Sequence, residues 1–140
     1  MWIILDIAEW KGRAMCDEVV IEYEGDYIHV CQSGRDSYEI SLDLWQRVVA
    51  ACEEHQCFNI LGESTSTEAV SVMHAYDHDK IFAIAGVTVR HRIAWVHHDP
   101  ATFESVRFIE TVLKNRGMAN GYLFSNVEDA KRWLLGAGSE

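Results

Sequence analysis

Long hydrophobic runs, basic residues, proline and paired-cysteine motifs are all scarce in this chain, and each shortage sets aside a class of protein. The longest apolar stretches, such as 81–89, fall well short of the roughly 20 residues that span a bilayer. The opening 1–6 carries neither a basic region nor a cleavable apolar core. Membrane insertion is therefore not expected, and a cytoplasmic location is. Only 12 lysines and arginines stand against 22 aspartates and glutamates, a formal charge of -10. Such a chain repels nucleic-acid phosphates and anionic membrane surfaces, which sets aside a nucleic-acid partner. Four cysteines, Cys16, Cys31, Cys52 and Cys57, include no C-x-x-C pair, so reduced thiols are expected rather than a disulfide scaffold. Neither a glycine-rich phosphate loop nor an H-E-x-x-H zinc motif occurs, and no internal repeat is found. One proline and nine glycines, with about half the residues apolar, make a globular composition rather than a disordered one.

At 140 residues the chain suits a single domain with one continuous core, taken as 1–135 with a flexible tail at 136–140. A short apolar run at 3–7 reads as extended. Segments 18–23 and 27–31 flank a glycine turn at 24–26 and read as an antiparallel hairpin. A second turn at 33–36 leads to a helix with Ser41 as N-cap, whose apolar positions Leu42, Trp45, Val48, Val49 and Cys52 carry it to about residue 54. A strand at 57–61 follows, then a helix marked by Ala69, Val72, Met73 and Tyr76, and a short helical piece at 79–85 ending at Gly86. The next strand lies within 87–96. Asp99 as N-cap with Pro100 at the first helical position opens a third long helix, with Phe103, Val106, Ile109, Val112 and Leu113 as its buried stripe and Gly117 as its left-handed stop. A last strand at 121–124 precedes a helix capped by Ser125 and Glu128, with Val127, Ala130, Trp133 and Leu134 pointing inward. This alternation predicts an α/β fold: a mixed, mainly parallel sheet with an N-terminal antiparallel hairpin, four to five helices and right-handed crossovers.

Few residues signal chemistry. Ser64, Thr65, Ser66 and Thr67 form a hydroxyl run ahead of a helix, where free N–H groups and the helix dipole suit an anion or a phosphorylated side chain. The same residues also read as a plain capping box, Thr65 with Glu68. His74 and His78 stand four apart, which is metal-ligand spacing on one helix face, with Asp77 or the pair His97 and His98 as a third donor; a surface histidine pair is the alternative. His97 and His98 close a parallel strand, at the edge where α/β proteins bind ligands, and equally read as a solvated pair before a helix cap. Cys52 and Cys57 read as small buried thiols, and no Cys/His or Ser/His/Asp arrangement follows from spacing. No cofactor and no metal are assigned, and an enzyme is not expected. Trp2 and Trp10, with Ile3, Ile4 and Leu5, suit an edge strand or exposed patch, which leaves a homodimer open.

The strand Arg92-Ile-Ala-Trp-Val96, the helix ending Asn115-Arg116-Gly117, and the closing Phe124-Ser-Asn-Val-Glu-Asp-Ala-Lys-Arg-Trp-Leu134 together resemble the STAS-like domains, the SpoIIAA-like superfamily of anti-sigma-factor antagonists, in an uncharacterised bacterial branch. The similarity runs from about residue 27 to 134 and rests mostly on packing residues. It implies a SpoIIAA-like fold and a non-enzymatic regulatory domain that contacts an unidentified protein partner. Regulatory members are phosphorylated just after a central strand. That place falls here on Glu63, Ser64 and Thr65, with Ser66 and Thr67 following and Glu63 standing where those members have aspartate. Lipid-carrying relatives of the fold imply the alternative, a carrier of a small apolar ligand.

Overall fold

The computed structural model describes residues 19–34, 36–117 and 120–136. The expected strand at 3–7, Trp2, Trp10, Cys16 and most of the expected tail lie outside the described residues.

Strands β1 (Val19–Tyr23) and β2 (Ile28–Gln32) form the antiparallel hairpin, with Ile21 opposite Val30. Its turn puts Gly25 at φ 97°, a left-handed conformation that glycine enters without penalty. Helix α1 (Tyr38–His55) follows, then β3 (Asn59–Ser64), α2 (Val72–Ala85) and β4 (Arg92–His97). A 3-10 turn (Pro100–Thr102) opens α3 (Phe103–Asn115), and β5 (Asn120–Phe124) leads to the short α4 (Val127–Lys131), which widens into a π-helical turn (Arg132–Gly136).

The five strands lie in the order β1-β2-β3-β4-β5, and all pairs after the hairpin are parallel. The fold class is thus the one the alternation predicts. Each crossover steps one strand along in the same direction, and crossovers of one hand stepping one way must place their helices on one face. Accordingly α1, α2 and α3 all cover the face carrying Ile28, Val30, Ile60 and Ile93. Residues one position out of phase point to the other face, where Leu61, Ala94 and Val96 pack on Ala130 and Leu134. Among the described residues, one face therefore carries three helices and the other carries α4 with the π-helical turn that follows it.

Several boundaries differ from the sequence reading. Helix α1 starts four residues earlier: Ser37 is its cap, its Oγ accepting the Ile40 N–H at 3.1 Å, and Ser41 is buried within the first turn. Strand β3 runs on to Ser64, because residues 62–64 pair on both sides, Ser64 with Gln32 of β2 and with His97 of β4. Ladder bonds on two flanks hold the backbone extended there, so no capping box forms at Thr65 and Glu68. Helix α2 starts at Val72, capped by Ser71, and continues unbroken through 79–85 to Gly86, whose φ is 88°. Its buried side is Ala75, His78, Ile81 and Phe82, whereas Val72, Met73 and Tyr76 face outward. The cap of α4 is Asn126, accepting the Asp129 N–H at 2.8 Å, rather than Ser125.

One close approach shapes the centre of the helix-covered face. Gly62 of β3 lies beside Trp95 of β4, and a Cβ added at Gly62 would sit 2.1 Å from the indole ring. The ring occupies the space a side chain would take, and packs against Trp45 with centroids 5.6 Å apart.

Gly62→Ala is expected to lower unfolding stability by about 1–3 kcal/mol, the cost of overpacking a filled site; a urea midpoint equal to the parent's would disprove this contact. Ser71→Ala is expected to cost about 1 kcal/mol as a lost helix cap, with Thr65→Ala within about 0.5 kcal/mol of the parent. Equal losses in thermal melts of the two would restore the capping box at Thr65.

Candidate functional site

Between the three-helix layer and the sheet, at the carboxyl ends of the parallel strands, lies a cavity of about 510 Å³. α/β proteins bind ligands at this edge because neither strand nor helix backbone closes it. Trp45 and Phe82 from the helices, Ile93 and Trp95 from β4, and Val106 and Leu113 from α3 make most of its wall apolar. Polar groups converge on it from two places.

The first is the end of β3. Ser64 Oγ accepts the Trp95 indole N–H at 2.9 Å and lies 2.7 Å from His97 Nδ1. His97 Nε2 lies 2.7 Å from Thr102 Oγ1, whose own proton has the Ser66 carbonyl and the Asp99 carboxylate as acceptors. With that proton committed, His97 Nε2–H must donate to Thr102, and Nδ1 must accept from the Ser64 hydroxyl. Burial lowers the His97 pKa, in keeping with a neutral ring. The chain Trp95, Ser64, His97, Thr102 therefore runs in one direction with every member satisfied.

The second lies just ahead of α1, in its first turn, and on α2. Asp36 Oδ1 accepts the Ser37 N–H at 2.8 Å and the Ser41 hydroxyl at 2.7 Å, while Oδ2 lies 2.9 Å from His74 Nε2. Burial alone would raise the Asp36 pKa, but the hydrogen bonds from His74 and Ser41 bring it below the ordinary value. The Asp36 contact raises His74 against an opposing effect of burial. One helical turn on, His78 Nδ1 lies 2.9 Å from the His74 carbonyl, and the two rings are 4.7 Å apart. Burial lowers the His78 pKa.

On the opposite face of the sheet, Glu63 bonds two histidines. Its Oε2 lies 2.6 Å from His29 Nε2 and its Oε1 lies 2.8 Å from His98 Nε2. Cys31 Sγ is 3.6 Å from the same His29 nitrogen. Burial disfavours both charges, yet the hydrogen bonds prevail: those from Cys31 and Glu63 raise His29 to about 10, and those from His29 and His98 lower Glu63 to about 2.

The sequence candidates are thus divided by the sheet. Glu63 and Ser64 are adjacent in β3 and so point to opposite faces. Ser64 is only 7% exposed. Thr65 and Ser66 are half-buried, and Thr67 is exposed in the following loop. That loop is fastened to the start of α3, the Ser105 hydroxyl accepting the Val70 N–H at 3.1 Å. His74 and His78 do share a face, but their third neighbour is Asp36 and neither Asp77 nor His97. His97 and His98, also adjacent, are buried on one face and ion-paired on the other rather than solvated together. Burial pushes the Cys52 thiol up to about 12, so it is no thiolate nucleophile. Sequence reasoning passed over His29, Asp36 and Thr102. The alternating pattern of 27–31 held the signal for His29, but its partners depend on register with β3.

Comparison with known proteins adds no identity: no family model, curated protein or solved structure matches the chain.

Removing one partner of a mostly buried ion pair strands the other charge, so Glu63→Gln is expected to cost about 3 kcal/mol near pH 6. Glu63 is lowered from 4.5 and His29 raised from 6.5. The pair's contribution is therefore complete between those values, fades as pH falls toward about 2, and fades as it rises toward about 10. Urea unfolding of parent and variant across that range reads the difference; a constant gap would remove the ion pair from the account.

Proposed function

We propose that the chain is a binding domain that holds a small, mostly apolar molecule in the cavity between its helix layer and its sheet. The observation that carries this reading is the cavity: about 510 Å³, within the range of small-molecule sites, apolar over most of its wall and polar at a few fixed points. A ligand there would lay its apolar body against Trp45, Phe82 and Trp95 and its polar end toward Asp36, His74 and Ser64. The resemblance to STAS-like domains, whose fold also serves lipid carriers, favours the same reading.

A second reading is the regulatory one, contact with a protein partner, and a separate observation favours it. Val72, Met73 and Tyr76 form an exposed apolar strip on α2, Met73 being 74% exposed, directly after the loop 65–71. Partner contact in this reading falls on Thr65 to Thr67 and that strip. Within it Thr67, not Ser64, is the accessible hydroxyl for a phosphate, because the Ser64 oxygen is enclosed by Trp95 and His97.

Native mass spectrometry of freshly purified protein is expected to retain a small apolar molecule. A fluorescent naphthalene sulfonate probe, added after that molecule is stripped, is expected to bind the parent. Val106→Trp, which fills the cavity, is expected to weaken the probe by more than about tenfold, or 1.4 kcal/mol. No retained molecule, together with equal probe binding by parent and variant, would sink the cavity reading and leave the partner surface.

A further inference from the structure

Asp36, His74 and His78 each offer a donor atom within 4.8 Å of the other two, and all three line the cavity. Bonds of about 2.0–2.2 Å to a first-row ion place neighbouring donors roughly 3–3.5 Å apart. The Asp36 Oδ2 to His74 Nε2 separation of 2.9 Å is close to that spacing.

Two details distinguish the group from an ordinary hydrogen-bonded cluster. A carbonyl can only accept, so His78 Nδ1 must carry the proton it gives to His74 C=O, and the neutral ring keeps its lone pair on Nε2. His78 is 5% exposed, and its Nε2 has no hydrogen-bond partner among the described residues. That lone pair belongs to a ring that lines the cavity, where it is open to a cation. An imidazole turned by a bond from its other nitrogen to a backbone carbonyl also has the arrangement of a metal-ligating histidine. The carboxylate is prepared in the same manner. Ser37 N–H and Ser41 O–H both hold Asp36 Oδ1, which leaves Oδ2 to face the histidines.

We propose that Asp36 Oδ2, His74 Nε2 and His78 Nε2 bind one divalent first-row transition ion of the zinc class, with its remaining coordination position open to the cavity. Two imidazoles and one carboxylate suit such an ion, and three protein ligands leave a place for water or a ligand's polar group. The ion stands on the three side chains alone; only its use as an anchor for a cavity ligand rests on the function proposed above.

The full chain, stripped of any affinity tag and treated with chelator, is titrated with Zn²⁺ by calorimetry and with Co²⁺ by visible spectroscopy, with no apolar probe present. One ion per chain is expected, with Co²⁺ d–d bands and no thiolate-to-cobalt charge transfer. His78→Ala and Asp36→Asn are each expected to weaken binding by more than about tenfold, at least the effect of a lost outer-shell contact. His29→Gln is expected to bind as the parent does. Absence of stoichiometric binding would overturn the proposal. So would a thiolate charge-transfer band, which the parent protein alone reveals and which moves the ion to Cys31 and His29 across the sheet. Probe binding repeated in chelator tests the cavity separately, so an ion without a probe, or a probe without an ion, identifies which idea has failed.

Discussion

The indole of Trp95 lies where a side chain at Gly62 would be, and much of the helix-covered face depends on that substitution of ring for Cβ. Adjacent parallel strands normally fill their shared face with side chains from both. Here β3 contributes none at this position, so a large aromatic from β4 spreads across both strands and meets Trp45 on α1. The ring forms the floor of the cavity, and its N–H reaches the Ser64 hydroxyl. The Ser64 oxygen also meets His97, whose protonated nitrogen is fixed from the far end, where the committed Thr102 proton makes His97 Nε2–H the donor. A single missing side chain thus admits the ring that lines the cavity and brings its N–H to Ser64 at the cavity's edge.

The end of β3 separates two chemistries. Ser64 turns toward the cavity, into a directed chain of hydrogen bonds with Trp95 and His97. Glu63 turns the other way into a charged knot with His29 and His98. A pleated strand makes this separation automatic, since neighbours in sequence must face opposite sides. The charged knot ties the start of β2 to the end of β3 and the residue after β4, on the face of the sheet opposite the cavity. A buried ion pair adds little net stability, but parting its two charges is costly. A slip of β2 by one residue would carry His29 away from Glu63 and expose Ile28 and Val30.

Much of the architecture was legible in the chain, for identifiable reasons. The Gly25 turn between two alternating segments, the Asp99-Pro100 start and the Gly117 stop of α3 all act locally, and each appears where it was read. Errors arose where long-range pairing competes with local signals. Thr65 and Glu68 have capping-box spacing, but β3 pairs with strands on both sides as far as Ser64, and the next helix starts only at Val72 with Ser71 as its cap. Helix α2 shows a weaker form of the same problem: its apolar residues lie on more than one side, so periodicity alone chose Val72, Met73 and Tyr76, and packing between α1 and α3 chose Ile81 and Phe82.

The sequence by itself determined the α/β class, the hairpin, and the pairing of His74 with His78 on one face, because turns, caps and the helical period are decided by neighbours within four residues. Only the tertiary structure decided that Asp36 stands across from those histidines, that His29 and His98 both reach Glu63, and that the hydroxyl run divides into a buried Ser64 and an exposed Thr67. Each of these depends on strand register and crossover direction, which bring together residues more than thirty positions apart. For the hydroxyl run the sheet is decisive: β3 extends to Ser64, and the strand's end, not a helix cap, determines what each side chain can meet.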